Sequence, residues 1–324
     1  MVSRPYSLPQ YLKAALAGVL TLALGTSCAV PSQTVAPSAG RASPTATVGT
    51  QPRVTTTAPA AGGTMAPVAQ DSVRFAVIGD TGTGERAQYD VGAQLTKSRE
   101  VFPFEFVIMM GDNMYGSERP QDYVRKFELP YKQILDAKVL FYASLGNHDG
   151  VEQRLYPQFN MDGKRYYSFK APKQDVRFFA LESTYLTTEQ IGWFETELRG
   201  SNEDWKIAFF HHPPYSSGEK HGSHAPIREA LEPLFIKYNV SVVLTGHDHF
   251  YERIKPQNGI AYFVVGSGGK LRRGNIDARS PLTAKGFDTD LAFLAAEIDG
   301  DEMFFNTVSR AGKVVDSGTI ARRK

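Results

Sequence analysis

Five short apolar runs in this chain each end in Asp, Asn or His, and that pattern limits what it can fold into. Phe75-Ala76-Val77-Ile78 leads into Gly79-Asp80. Phe106-Val107-Ile108-Met109-Met110 leads into Gly111-Asp112-Asn113-Met114-Tyr115. Val139-Leu140-Phe141-Tyr142 runs toward Gly146-Asn147-His148-Asp149. Ile207-Ala208-Phe209-Phe210 stops at His211-His212, and Val240-Ser241-Val242-Val243-Leu244 precedes Gly246-His247-Asp248-His249. Unbroken apolar runs of this length suit strands covered on both faces. In open α/β sheets, ligand-binding groups gather outside the carboxyl ends of the strands. Residues far apart in the chain can then meet at one site.

Helical patterns alternate with these runs. Residues 87–98 read as one helix. Residues 121–135 read as another, continuous one, with Tyr123, Phe127, Tyr131 and Ile134 at helical spacing. Thr187 and Gln190 fit a capping box opening a helix that carries Ile191, Phe194 and Leu198. Ile227, Leu231, Leu234, Phe235 and Tyr238 mark a further helix, which Pro233 is expected to kink or split. Strand patterns follow at 260–265, 291–298, 302–309 and 314–320. The expected fold is α/β: two mixed β-sheets packed face to face and flanked by helices.

The N-terminus reads differently. Arg4 and Lys13 precede an apolar run, residues 14–24, too short to span a membrane and shaped like a signal-peptide core. Cys28, the one cysteine, follows it in Leu24-Gly25-Thr26-Ser27-Cys28, which resembles a bacterial lipoprotein signal with Gly25 where an aliphatic residue is usual. Cleavage after Ala29 is the rival reading. Residues 29–71, rich in Ala, Pro, Thr, Ser and Gly, read as a tether without a core. Residues 72–324 are then the catalytic domain. Location outside the cytoplasm is expected, with the membrane reached through Cys28, or else a periplasmic or secreted protein. Net charge is +2, without the concentrated basic face of nucleic-acid binders. No obligate protein partner is evident.

Asp and Asn oxygens, imidazole nitrogens and a phenolate suit first-row metals. His247 and His249, two apart in a loop, can serve two adjacent ions, and Asp112 can bridge them. Two metals about 3.5–4 Å apart polarise a phosphoryl group and activate water. Taken singly, each residue has a plainer reading: Asp80 a turn, Asn147 an Asx turn, Tyr115 packing, His211-His212 a bonded loop. Their order at strand ends is what carries the metal reading.

Gly79-Asp80, Gly111-Asp112-x-x-Tyr115, Gly146-Asn147-His148-Asp149, His211-x-Pro213 and Gly246-His247-x-His249 match in order the five motifs of purple acid phosphatases. These are calcineurin-like metallophosphoesterases, and the finer texture resembles the small tartrate-resistant type. The resemblance implies Fe(III) held by Asp80, Asp112, Tyr115 and His249. It implies Fe(II), Zn(II) or Mn(II) held by Asp112, Asn147, His211 and His247. It further implies acid phosphatase activity on small phosphorylated substrates, with in-line attack by a metal-bound hydroxide. His148 and His221 are the implied phosphate-binding or proton-donating groups. His212 is expected outside the ligand set, and His224 as a solvated loop residue.

Three departures from the family stand out. Glu182 replaces a common Asp and is expected to alter only a contact behind the ligands. Residues 183–188 are short where mammalian members carry a long loop that is cut on activation, which suggests an open site. Gly150 stands where those members have another histidine. Gly79-Asp80-Thr81-Gly82-Thr83-Gly84 resembles a dinucleotide loop, but its spacing is wrong and Asp80 would repel a pyrophosphate. Lys270, Arg272 and Arg273 are expected to be a solvated charge run, with recruitment of anionic substrate as the rival. The alternative functions are a phosphodiesterase on the same scaffold and a lipoprotein that binds phosphate or metal without turnover.

Overall fold

The computed structural model describes residues 69–324. The signal segment 1–28 with Cys28, and all but the last residues of the 29–71 tether, lie outside the described residues. Among the described residues, no helix is long and apolar enough to cross a membrane.

In chain order the strands are β1 (Val73–Ile78), β2 (Phe106–Met109), β3 (Leu140–Ala143), β4 (Tyr167–Lys170), β5 (Val176–Ala180), β6 (Trp205–Phe209), β7 (Val242–Thr245), β8 (Tyr251–Ile254), β9 (Ala261–Val265), β10 (Thr283–Phe287), β11 (Ala292–Asp299), β12 (Glu302–Ser309) and β13 (Val314–Ala321). The helices are α1 (Arg86–Val101), α2 (Pro120–Tyr123), α3 (Lys132–Asp136), α4 (Thr188–Gly200) and α5 (Ala225–Lys237). One sheet has six strands in the order β13-β12-β11-β1-β2-β3, and the other seven, β10-β8-β9-β7-β6-β5-β4. Both are mixed, as expected. β1, β2 and β3 run parallel with Ile78, Met109 and Ala143 level. β6 and β7 run parallel with Phe209 opposite Leu244. Each sheet therefore ends the strands that precede the expected ligands along one line.

The sheets meet through aromatic side chains. Phe75 on β1 and Phe106 on β2 stack at 5.5 Å, and both set their rings edge-on to Phe178 on β5. Phe169 on β4 closes the group, 5.0 Å from Phe178. Burying each such ring contributes about 1.5–3 kcal/mol. Alternation along the second sheet sorts its residues cleanly. Phe178, Ile207, Phe209, Val242 and Leu244 belong to the core between the sheets. Their neighbours Phe179, Ala208, Phe210 and Val243 pack outward against Phe194 and Leu198 of α4 and Leu231 and Phe235 of α5. Successive strand side chains point to opposite faces, so a run buried on both sides feeds two cores.

Three local expectations change. Residues 121–135 are not one helix. α2 passes into a π-helical turn, Val124–Glu128, in which the Leu129 amide reaches back to the Val124 carbonyl at 2.9 Å. Pro130 follows without an amide hydrogen, and α3 starts afresh at Lys132. The apolar face survives the break: Phe127, Tyr131 and Ile134 are all buried. Conversely, α5 continues through Pro233. Its buried face of Ile227, Leu231 and Phe235 outweighs the missing bond. At α4 only half of the capping box forms. Thr187 accepts from the Gln190 amide at 3.2 Å, while the Gln190 side chain bonds both backbone groups of Glu182.

Candidate metal centre

The loops leaving β1, β2, β3, β6 and β7 converge, and three of their residues hold backbones that side chains normally avoid. Asp80, Asp112 and His247 have φ of 55°, 50° and 70°. Non-glycine residues in this left-handed region each cost of order 1–3 kcal/mol and cluster at functional sites. The turns are locked by cross-loop bonds. The His247 amide donates to Asp80 Oδ2 at 2.8 Å, the His148 amide to Asp112 Oδ1 at 3.0 Å, and the Gly246 amide to the His211 carbonyl at 3.0 Å. Gly246 cannot carry a side chain, since a Cβ there would lie 2.5 Å from Asp80 Oδ2.

Two clusters of donor atoms result. In the first, Tyr115 Oη lies 3.2 Å from Asp80 Oδ1 and 3.3 Å from His249 Nε2, and those two atoms are 3.5 Å apart. In the second, His211 Nε2 lies 3.0 Å from Asn147 Oδ1, 3.1 Å from His247 Nδ1 and 3.4 Å from Asp112 Oδ1. Ligating atoms of Asp80, Asp112 and His211 fall within 4.8 Å of one another, so the clusters adjoin. All seven residues expected to hold metal are thus brought together.

The proton count shows what these clusters lack. His211 Nδ1 lies 2.9 Å from the Met110 carbonyl, which can only accept, so the imidazole proton sits on Nδ1. Nε2 then turns a lone pair toward oxygens that also carry lone pairs. In the first cluster one phenol proton faces both a carboxylate and an imidazole nitrogen. Burial compounds the mismatch. It drives Asp80 well above the usual carboxylate range, and the charge of Asp112 adds to the effect. Burial also lowers His249 to about 4, with the charges of Arg272 and Lys270 adding. It lowers His247 further, with His211 and His212 adding. Burial, then the charges of Asp80 and Asp112, push the Tyr115 phenol upward. Neutral imidazoles, carboxylates, an amide oxygen and a phenol aimed at common points suit cations that take N and O ligands. The donor set fits.

His148 and His221 flank the clusters. The His148 ring is exposed and 4.9 Å from the Tyr115 ring. The His221 ring, also exposed, is 4.4 Å from the His247 ring. His212 packs its ring 4.4 Å from His247, but its Nδ1 is engaged by Ser183 Oγ at 2.9 Å. His224 is not a free loop residue, because its Nδ1 accepts from the Ile227 amide at the start of α5. Glu182 spends its carboxylate on the Thr184 and Tyr185 amides and on Arg165.

Sequence reasoning overlooked two carboxylates and misjudged one cation. Asp149 accepts from the amides of Gly146, Asn113 and Met114 and from Gln153, tying the β2 and β3 loops together. Asp248, fully buried, accepts from Ser216 Oγ at 2.5 Å and the Gly222 amide at 3.2 Å, and so holds the loop that carries His221. Asp149 closes the motif that begins at Gly146 and Asp248 stands between His247 and His249, and only those positions could have flagged them. Lys270 is not part of a solvated run: its Nζ sits 3.5 Å from the centroid of the Tyr115 ring.

Comparison with known proteins agrees with this geometry. Residues 73–251 match the family model described as calcineurin-like phosphoesterase. The chain is 22% identical over 306 residues to tartrate-resistant acid phosphatase type 5 of Homo sapiens, covering 80% of this chain and 94% of that one. It is 28% identical over 273 residues to purple acid phosphatase 4 of Arabidopsis thaliana, covering 74% and 80%. The fold superimposes on the purple acid phosphatase PPD1 from yellow lupin seeds with a TM-score of 0.65 at 21% identity, covering 82% of this chain and 55% of that one.

Proposed function

The chain belongs to the calcineurin-like phosphoesterases and is a metallophosphoesterase with purple acid phosphatase homologues; from that premise we propose that it is a dinuclear acid phosphatase hydrolysing phosphomonoesters. One observation carries the reading: the lone pairs of His211, Asn147, Asp112 and Asp80 converge with too few protons between them. Asp80, Asp112, Tyr115 and His249 would hold one cation, taken as Fe(III) because a phenolate suits a hard ion. Asp112, Asn147, His211 and His247 would hold Fe(II), Zn(II) or Mn(II). Such a pair supplies Lewis acidity toward a phosphoryl oxygen and toward water.

The protein's own groups do the rest. Asp112 faces both clusters and, with the His148 amide on Oδ1, keeps a fixed orientation. His148 and His221, exposed on either flank, orient the phosphoryl group. His148 is assigned to hand a proton to the departing ester oxygen, a step typically contributing about 10²–10⁴-fold. His221, held by the Asp248 loop, steers the phosphate. Export and a lipid anchor at Cys28 belong to the same proposal and rest on the N-terminal sequence alone. Loss of membrane fractionation in Cys28→Ser is the expected result.

Turnover of p-nitrophenyl phosphate and of its bis-ester, measured on metal-loaded protein at acid and neutral pH, tests the reading. The monoester should dominate. Bis-ester preference would make the protein a phosphodiesterase, and no turnover of either would leave a binding protein. A visible band lost in Tyr115→Phe would support Fe(III). A colourless protein fully active with Mn or Zn would remove iron.

A further inference from the structure

The segment after β9 returns to the centre and brings two guanidinium groups with it. The Lys270 amide donates to the Asp80 carbonyl at 3.2 Å and the Arg272 amide to the His249 carbonyl at 2.9 Å. This lacing needs Gly269, where a Cβ would sit 2.1 Å from the Thr81 carbonyl oxygen. Lys270 is taken up by the Tyr115 ring. Arg272 and Arg273 are not taken up by anything comparable. They line an open pocket of about 440 Å³ whose wall includes His249. Arg272 Nη1 is buried with no hydrogen-bond partner. Among the described residues neither guanidinium has a carboxylate at ion-pair distance. Asp290, on the same pocket, is matched by Arg310 at 2.7 Å, which leaves Glu85 as the other lining carboxylate.

A buried guanidinium N–H without an acceptor, beside a site already built to attract phosphate, suits a second anion. Its planar fork matches phosphate oxygens in pairs. We propose that Arg272 and Arg273 form an anion subsite beside the metal centre, and that the preferred substrates are phosphomonoesters whose alcohol portion carries a second phosphoryl group. This deepens the phosphatase reading and rests on it for the first phosphoryl group. Water cleaves one P–O bond, the alkoxide takes a proton, and the second phosphoryl group leaves unchanged on the alcohol.

The test is calorimetric binding of two hydrolysis-resistant probes, propane-1,3-diphosphonate and propylphosphonate, to the metal-loaded full chain. Wild type should bind the diphosphonate at least about tenfold tighter, near 1.4 kcal/mol. In Arg272→Gln/Arg273→Gln the ratio should fall toward one, and Arg272→Lys should recover part of it. If the double variant does not fold, the exposed Arg273→Gln alone should still lower the ratio. An unchanged ratio overturns the subsite. So does equal weakening of both probes, which would mean general attraction of anions. Selectivity without turnover of p-nitrophenyl phosphate would overturn the phosphatase reading and keep the subsite. Turnover without selectivity would do the reverse.

Discussion

At one junction between the two sheets, Arg253 on β8 meets Asp316 on β13; at another, His211 and His247 from the second sheet meet the ends of β1 and β2 in the first. Both junctions are polar, the first buried and the second buried at His211 but half-open at His247. At the first, Arg253 Nε and Nη2 reach the two Asp316 oxygens at 2.8 and 3.1 Å, and Tyr251 Oη donates to Asp316 Oδ2 at 2.7 Å. Arg253 Nε and Nη2 and the Tyr251 hydroxyl all find their acceptor in the one Asp316 carboxylate. At the second, the His211 Nε2 lone pair faces the oxygens of Asn147 and Asp112, and three residues hold left-handed backbones. A polar cluster that satisfies itself fastens the fold. One that cannot do so is shaped around something it binds.

The largest effect should come from Asp112, the carboxylate proposed to bridge the two cations. Asp112→Asn is expected to lose metal and most activity, beyond the roughly 10–100-fold typical of groups behind the ligands. Burial opposes the Asp112 charge, yet its partners hold the carboxyl below the usual carboxylate range, so the metal-free variant should be no more stable than wild type. Unchanged metal content and turnover would break the contrast. Asp316→Ala should behave oppositely. It strands a buried guanidinium and should cost about 3–5 kcal/mol in urea unfolding, with turnover per folded molecule preserved. A mild cost there would mean that the first junction is no fastening.

Stripping the metals should lower stability by about 3–4 kcal/mol relative to protein in metal at 100–1,000 times its dissociation constant. Equal melting temperatures with and without chelator would remove the need for a cation. The smallest effect concerns pH. His249 and His212 are held at about 4 and about 3, by burial first, below the roughly 6.5 of an unfolded histidine. As pH falls, the unfolded chain takes up these protons first. Their contribution is complete above about pH 6.5 and fades as pH falls through the folded values, at up to ~1.4 kcal/mol per unit for each group. Asp80, held high, opposes this from about pH 4 upward, so Asp80→Asn should steepen the loss. Urea midpoints of metal-free protein between pH 7 and 4 measure the slope. An equal slope in loaded protein would show that metal does not shield His249.

The strands, and the meeting of the seven residues behind them, were legible because the chemistry follows directly on each strand, so a linear motif already carries its place in space. The strand-end rule gathers Asp80, Asp112, Asn147, His211, His247 and His249 at one place, and the family resemblance is what adds Tyr115 and sorts the seven into two sets. Pro130 and Pro233 show where local reading stops. One ends a helical stretch and the other is absorbed, and the difference lies in the packed faces around them. Gln190 was claimed by Glu182 across a loop instead of by its own N-cap. Lys270 looked solvated until the Gly268-Gly269 segment was folded back on Thr81. Such pairings depend on distant chain, and no window of sequence contains them.

The bond from the His247 amide to Asp80 Oδ2 joins positions 167 residues apart. A ribosome therefore releases Asp80, Asp112 and Asn147 long before their histidine partners exist. Capture of metal cannot guide the early steps of folding and must come near the end. A nascent or truncated chain that stops short of His247 carries an incomplete centre, with the acidic loops and His211 but without the imidazoles of His247 and His249. Metal supply should accordingly govern how much of the finished protein is active, and stabilise the chain only after it has folded.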